Sequence, residues 1–239
     1  MAWVEVAALR NGSFDEGFSV RDSDEVQVAL YWEPWWRQGT PEQVADGFYK
    51  RPEFKPEPKW VGTQPGRVFE GNYGQKFFTT FATHSAGLYQ RVRVKPGERL
   101  WLKAMAQIYG WNPSSGKDAG YACVVGIDPS GGVDPLASGV VWGPWKGQSA
   151  KPKWDGSTWE ELEVRDVEAL GEWVTVFLRG ENLYRAKHAD SYWDHVRLLR
   201  WVEDSEPPTP PAPPEGMVEE LRWIAGLVQE VADKLEAAG

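Results

Sequence analysis

The feature that most restricts this chain is a two-residue alternation of apolar and polar side chains, repeated from residue 3 to residue 201 and punctuated by glycine and proline. In a strand, successive side chains point to opposite faces, so the pattern divides each segment into a core side and an outer side. It predicts strands at 3–9, 26–31, 66–69, 75–82, 87–94, 99–109, 120–127, 158–165, 172–179 and 191–201. Many short strands separated by turn signals read as an all-β sandwich. Before residue 217 the one helical signal is a short turn at Pro41–Ala45, with Thr40 as its N-cap.

The alternation also assigns faces. In 99–109, Leu100, Leu102, Ala104, Ala106 and Ile108 form the core set, leaving Trp101, Lys103, Gln107 and Tyr109 outside. In 172–179, Val174, Val176 and Leu178 point inward, and Trp173, Phe177 and Arg179 outward. In 87–94, Leu88, Gln90, Val92 and Val94 look inward. These strands are expected to share one outer face rich in aromatic and long polar groups. Two readings of that face stay open. It is an exposed surface suited to a sugar, or it lies under the long loops as a second core. Residues 32–60 form a long loop with seven aromatic residues, including Trp35 and Trp36, and Trp111 stands in another loop. Trp173 and Arg179 complete the candidate ligand contacts, with Trp101, Lys103, Gln107, Tyr109 and the three loop tryptophans.

The end of the chain follows another rule. Residues 204–216 are proline-rich and favour an extended, stiff tether. In 217–239, Met217, Leu221, Ile224, Val228, Val231 and Leu235 recur at alternating steps of four and three, the seam of a coiled-coil α-helix. So short a helix cannot bury its stripe alone. Leu at a with β-branched residues at d disfavours dimers, so the expected assembly is a homo-trimer, with a tetramer second. A lone amphipathic helix packed on the sandwich has the same stripe and is the competing reading. The expected domains are thus 1–203, 204–216 and 217–239.

Composition excludes several partners. A net charge of −9 argues against nucleic acid, which calls for a basic surface, and no apolar run approaches the roughly 20 residues that span a bilayer. As written, the start has no basic segment leading into an apolar one, so no signal peptide is expected. Cellular location stays unassigned, with cytoplasmic synthesis and display on a particle surface as one possibility. The single cysteine, Cys123, sits in an apolar strand and reads as a small buried hydrophobe. Sparse Asn and Cys with abundant Pro, Glu and Arg point towards a thermophile.

Three segments then carry a resemblance. The turn Asn11-Gly12-Ser13-Phe14-Asp15-Glu16 follows the first strand, the pair from Ala86 to Gln107 crosses a Pro96-Gly97 turn, and Tyr192-Trp193-Asp194-His195-Val196 closes the domain. In their order they resemble the galactose-binding-like jelly rolls, and within them the carbohydrate-binding modules of families 4, 9 and 22. Leu100 stands where that family usually has Tyr. The resemblance covers about residues 3–200 and implies a jelly-roll β-sandwich that binds a glycan or cell-surface polysaccharide. It also implies a structural Ca²⁺ held by Asp194, with Asp15 or Glu16 and a carbonyl near Leu9 as partners. Hard oxygen ligands of this kind suit calcium. Asp194 falls on the inward parity of its strand beside Tyr192, Val196 and Leu198, and backbone N–H groups are the other way to satisfy it.

No histidine pair at metal spacing, no Gly-x-Ser-x-Gly elbow and no phosphate loop occur, so no catalytic residue is assigned. The leading expectation is a non-catalytic carbohydrate-binding module displayed multivalently on its stalk. A structural accessory protein of a larger particle, such as a phage head decoration or tail protein touching capsid or tail proteins, is the alternative. A glycoside hydrolase, which needs two carboxylates across a cleft, is a weaker one.

Overall fold

The structure is a computed structural model that describes residues 1–59, 65–112, 115–147 and 158–203. The proline-rich segment and the heptad helix, from Met217 through Leu235, lie outside the described residues. So does the oligomeric state they imply. Ala2–Val202 form one compact unit.

In chain order the strands are β1 (Ala2–Glu5), β2 (Phe18–Val20), β3 (Gln27–Ala29), β4 (Glu33–Trp36), β5 (Glu53–Pro58), β6 (Tyr73–Thr79), β7 (Ser85–Arg93) and β8 (Arg99–Asn112). They continue as β9 (Lys117–Asp118), β10 (Tyr121–Asp128), β11 (Val141–Trp142), β12 (Lys146–Gly147), β13 (Trp159–Glu168), β14 (Trp173–Asn182) and β15 (His188–Val202). Sheet 1 has the order β13-β8-β15-β6-β5, with β1 added to β15 and β9 to β8. Sheet 2 has the order β11-β10-β14-β7-β4, with β12 added to β10, and β2-β3 form a separate hairpin. All strand pairs between named strands are antiparallel, as a sandwich built from hairpins and longer crossovers requires.

The core lies where the alternation placed it. Leu100, Leu102, Ala104, Ala106 and Ile108 from sheet 1 meet Leu88, Val92, Val174, Val176 and Leu178 from sheet 2, all buried in one cluster. Phe77 and Trp193 stack between them at 6.0 Å and 16°. A polar thread runs through this core. The His84 ring bonds Thr79 Oγ1 and the Tyr121 hydroxyl, each at 2.9 Å, and Tyr121 in turn donates to Ser191 Oγ at 3.1 Å. Burial pushes the His84 imidazole down to about 3, so it is neutral at ordinary pH.

Two expectations need correction. Residues 32–60 are not a structureless loop, since they hold β4, β5 and the turn of helix α1 (Pro41–Ala45). β4 and β5 are edge strands, where a proline without an N–H costs no ladder bond, and proline is what hid them from the pattern. Helix α1 is as expected: Thr40 Oγ1 accepts from Gln43 N–H at 3.3 Å, and Gln43 Oε1 accepts from Thr40 N–H at 2.9 Å. The strand expected at 66–69 is absent; Pro65–Arg67 are a 3₁₀ turn running into bends.

Candidate functional site

The expected ligand residues do not share one face. β8 belongs to sheet 1 and β14 to sheet 2, so Trp101 and Trp173 look out on opposite sides of the sandwich. Alternation sets inside against outside but carries no information on which sheet a strand joins. The nine residues fall into separate places.

The first place is the middle of the outer face of sheet 1. Register aligns Gln107 with Tyr192 and Tyr192 with Lys76, and aligns Tyr109 with Asp190 and Asp190 with Phe78. Tyr109 and His188 stack at 5.0 Å and 19°. Lys76 Nζ lies 3.8 Å from Asp190 Oδ2, 4.1 Å from the centre of the Phe78 ring and 5.1 Å from that of Tyr192. Arg67 covers the Tyr192 ring at 5.1 Å while its Nη1 donates to Glu57 at 3.2 Å. Burial raises the Tyr109 phenol above its ordinary value, the Asp190 charge adds to this, and Arg67 opposes it. The result is a row of rings flanked by opposed charges. Gln107 shares this outward parity but is fully buried beneath Gly66 and Thr158, donating to Gly66 O and Thr158 Oγ1, so the face is covered at that position. Trp111 is half-buried at the β8 end, beside His188 in register.

The second place is the other end of β8. Eight residues at about 3.4 Å each put Trp101 roughly 27 Å from Tyr109, too far to share one sugar ring. Trp101 meets Trp3 edge-on at 5.5 Å, and Trp3 meets Trp201 at 5.2 Å. The Arg165 guanidinium lies 4.0 Å from the Trp101 ring and Lys103 Nζ lies 4.7 Å from it, while Trp101 Nε1 donates to Glu163 at 2.9 Å. This ring is already packed by cations and is not an open platform.

The third place is sheet 2. Trp35, Phe177 and Val140 form a small second core with Tyr89, Ala137 and Trp142, so loop cover wins over exposure here. Gly126 makes this possible, because a side chain there would overlap the Trp142 ring. Arg179 borders this cluster. Trp173 is 41% exposed at the far end of β14, with Arg91 over its ring at 5.1 Å. Trp36 has the parity opposite to Trp35 and packs against the main core.

The expected calcium ligands also differ from expectation. Asp194 is buried, but on the outer parity with Tyr192, because Trp193 takes the core position. A bulge between Asp194 and Arg197, with His195 at φ 51°, then flips the phase so that Val196 and Leu198 return inward. The Asp194 carboxylate accepts from Phe69 N–H at 2.9 Å, Glu70 N–H at 3.1 Å and His195 N–H at 2.7 Å. Asp15 Oδ1 accepts from Asn72 and Tyr73 N–H at 2.9 and 3.0 Å, and Glu16 Oε1 from Asn11 N–H at 3.2 Å. Among the described residues no three acidic, histidine or cysteine side chains converge on one point. Amide N–H groups hold both oxygens of Asp194, Oδ1 of Asp15 and Oε1 of Glu16, and Arg10 holds Oε2 of Glu16, so these residues as arranged do not converge on one ion. Chelation is accordingly expected to leave the melting temperature within about 1 °C, and a fall of several degrees on adding EGTA would restore calcium as the holder of this corner.

Burial pushes Asp194 up to about 7, with the N–H groups of Glu70, His195 and Phe69 opposing and the Glu70 charge adding. Sequence reasoning missed Lys76, Phe78, Asp190, Tyr192, Arg67 and Glu57. The alternation of His188, Asp190 and Tyr192 against Ala189, Ser191 and Trp193 was the available signal for two of them, Asp190 and Tyr192.

The class defined by this topology is the antiparallel β-sandwich of jelly-roll type. Among solved structures the chain is similar to an apo-form cyclase from Fischerella sp. (TM-score 0.51, 15% identity, 83% of this chain and 97% of that one). It is also similar to the carbohydrate-binding module TmCBM61 in complex with β-1,4-galactotriose (0.48, 15%, 81% and 98%). A third is the C-terminal family 22 carbohydrate-binding module of Clostridium thermocellum Xyn10B (0.42, 11%, 82% and 99%). At these identities the likeness is one of fold. No protein-family model matches the chain, and no curated protein does.

Proposed function

We propose that this chain is a non-catalytic carbohydrate-binding module whose site is the outer face of sheet 1, displayed in several copies by the C-terminal helix. The observation that carries the reading is the stacked Tyr109–His188 pair beside Lys76 and Asp190. Flat rings accept the C–H face of a sugar, while neighbouring donors and acceptors read its hydroxyls. Among the described residues, two buried carboxylates near these rings, Glu57 and Asp190, are each engaged by a cation, Arg67 and Lys76 respectively. Copies joined by the stalk would raise a weak single-site affinity by avidity.

A glycan array with full-length protein tests this. Binding is expected for at least one glycan class, to fall about tenfold or more on Tyr109→Ala, and to weaken on immobilised glycan when the chain is cut after residue 203. A second reading, a structural accessory protein that docks on a larger particle, rests on the partly exposed edges of Trp3, Trp101 and Trp201, a cluster too packed to stack a sugar but able to meet a flat protein surface. Silence across the array together with tight binding to a shell protein, lost on Trp101→Ala, would put that reading first.

A further inference from the structure

On the outer face of sheet 2, register sets Trp35, Gly87, Arg179 and Val124 side by side across β4, β7, β14 and β10. Phe177, the previous outward position on β14, is sealed under Val140 and Trp142. The seal stops there. The next outward positions, Arg179 and Glu181, open on a recess of about 440 Å³ lined by Gly120, Ala122, Trp145, Arg179, Glu181 and Leu183.

Arg179 is held in place on several sides. Its guanidinium lies 5.2 Å from the Trp145 ring, 5.5 Å from Trp142 and 5.9 Å from Trp35, and Nη2 donates to Glu181 at 2.7 Å. A side chain so ordered loses little further freedom on binding, which is where much of the cost of recognition arises. Beside it, Trp145 is 45% and Leu183 62% exposed, so apolar surface stands in water next to a prearranged donor–acceptor pair. The charges of Arg179 and Glu181 cancel, which disfavours an anion or a cation as occupant. What matches is a neutral group that both donates and accepts at adjacent atoms and has an apolar flat side. A pyranose with vicinal hydroxyls is such a group: one hydroxyl donates to Glu181, its neighbour accepts from Arg179, and the C–H face lies on Trp145.

We infer that this recess is a second saccharide site, selective for a neutral pyranoside and separate from the sheet 1 face on the opposite side of the sandwich. One domain would then engage two glycan chains at once. The inference does not depend on the sheet 1 reading.

Full-length ¹⁵N-labelled protein titrated with xylohexaose, cellohexaose, mannohexaose, β-1,4-galactotriose and trigalacturonic acid decides it. At least one neutral oligosaccharide is expected to shift the Trp145 indole resonance. Trp145→Ala and Arg179→Lys should each weaken the remaining shifts around the recess about tenfold, while any shifts near Tyr109 persist. The spectrum itself reports that each variant is folded. Shifts confined to sheet 1 overturn the second site and leave the first standing, and shifts confined to the recess do the reverse. No shifts anywhere remove both. Preference of the recess for trigalacturonic acid overturns its neutral selectivity.

Discussion

His84→Gln and Asp194→Asn are expected to tilt the pH dependence of stability in opposite directions, each by about 1.4 kcal/mol per pH unit relative to the unchanged protein. The His84 imidazole is held down at about 3 in the fold against 6.5 as a free group. Between those values only the unfolded chain takes the proton, so the stability His84 allows is complete above about pH 6.5 and is lost as pH falls. Asp194 has the opposite sign: its carboxyl is raised to about 7 from 3.8. Between those values the folded chain binds the extra proton, so stability is greatest near pH 4 and falls as pH rises through 7. The two slopes overlap from about pH 4 to 6.5 and nearly cancel. Removing His84 should therefore make the protein gain on the unchanged chain as pH drops across that window. Removing Asp194 should make it lose. Urea unfolding at about pH 4.5, 5.5 and 6.5 measures both differences, in which the slopes of all other groups drop out. Parallel curves for all three proteins would show that burial does not dominate at either residue.

Gly87→Ala should be among the most damaging single-methyl changes in this chain, lowering stability by on the order of 3 kcal/mol. Gly87 pairs with both Trp35 on β4 and Arg179 on β14, and a side chain there would overlap the carbonyl oxygen of Leu178. That oxygen belongs to the backbone of a central strand and cannot retreat without stretching the ladder. Gly171→Ala is the control. It adds the same methyl where nothing lies within 4 Å and no left-handed backbone is required, so a change within about 0.5 kcal/mol is expected. Equal losses in the two variants would mean that the cost is conformational and not steric. Denaturant midpoints with unchanged slope give both numbers.

Much of the fold was legible because each strand states its own faces. The core set of β8 and that of β14 were both readable from spacing alone, and so was the capped turn at Thr40. Two kinds of information were not. Proline at Pro34, Pro56 and Pro58 masked edge strands, since its effect depends on whether a partner strand needs the missing N–H. The bulge at His195 shifted the phase of β15 in mid-strand, which moved Asp194 and Tyr192 to the outer side. At the site, Tyr109, Trp111, Gln107 and Arg179 were named in advance, yet as one surface. Their partners Lys76, Asp190, Trp145 and Glu181 lie far from them in sequence or look like ordinary surface charge.

The sequence by itself determined which side chains of β8 and β14 face inward, because side-chain direction alternates along a strand that carries no bulge whatever its neighbours are. It likewise determined the net charge of −9 and the lack of any apolar run of the roughly 20 residues that a helix needs to cross a bilayer. Only the tertiary structure decided that β8 and β14 look out on opposite sides, that Trp101 is wrapped by Arg165 and Lys103, and that Asp194 is satisfied by amides. Strand partners and loop cover come from contacts between distant segments, and those are set by the packing of the whole sandwich rather than by any local pattern.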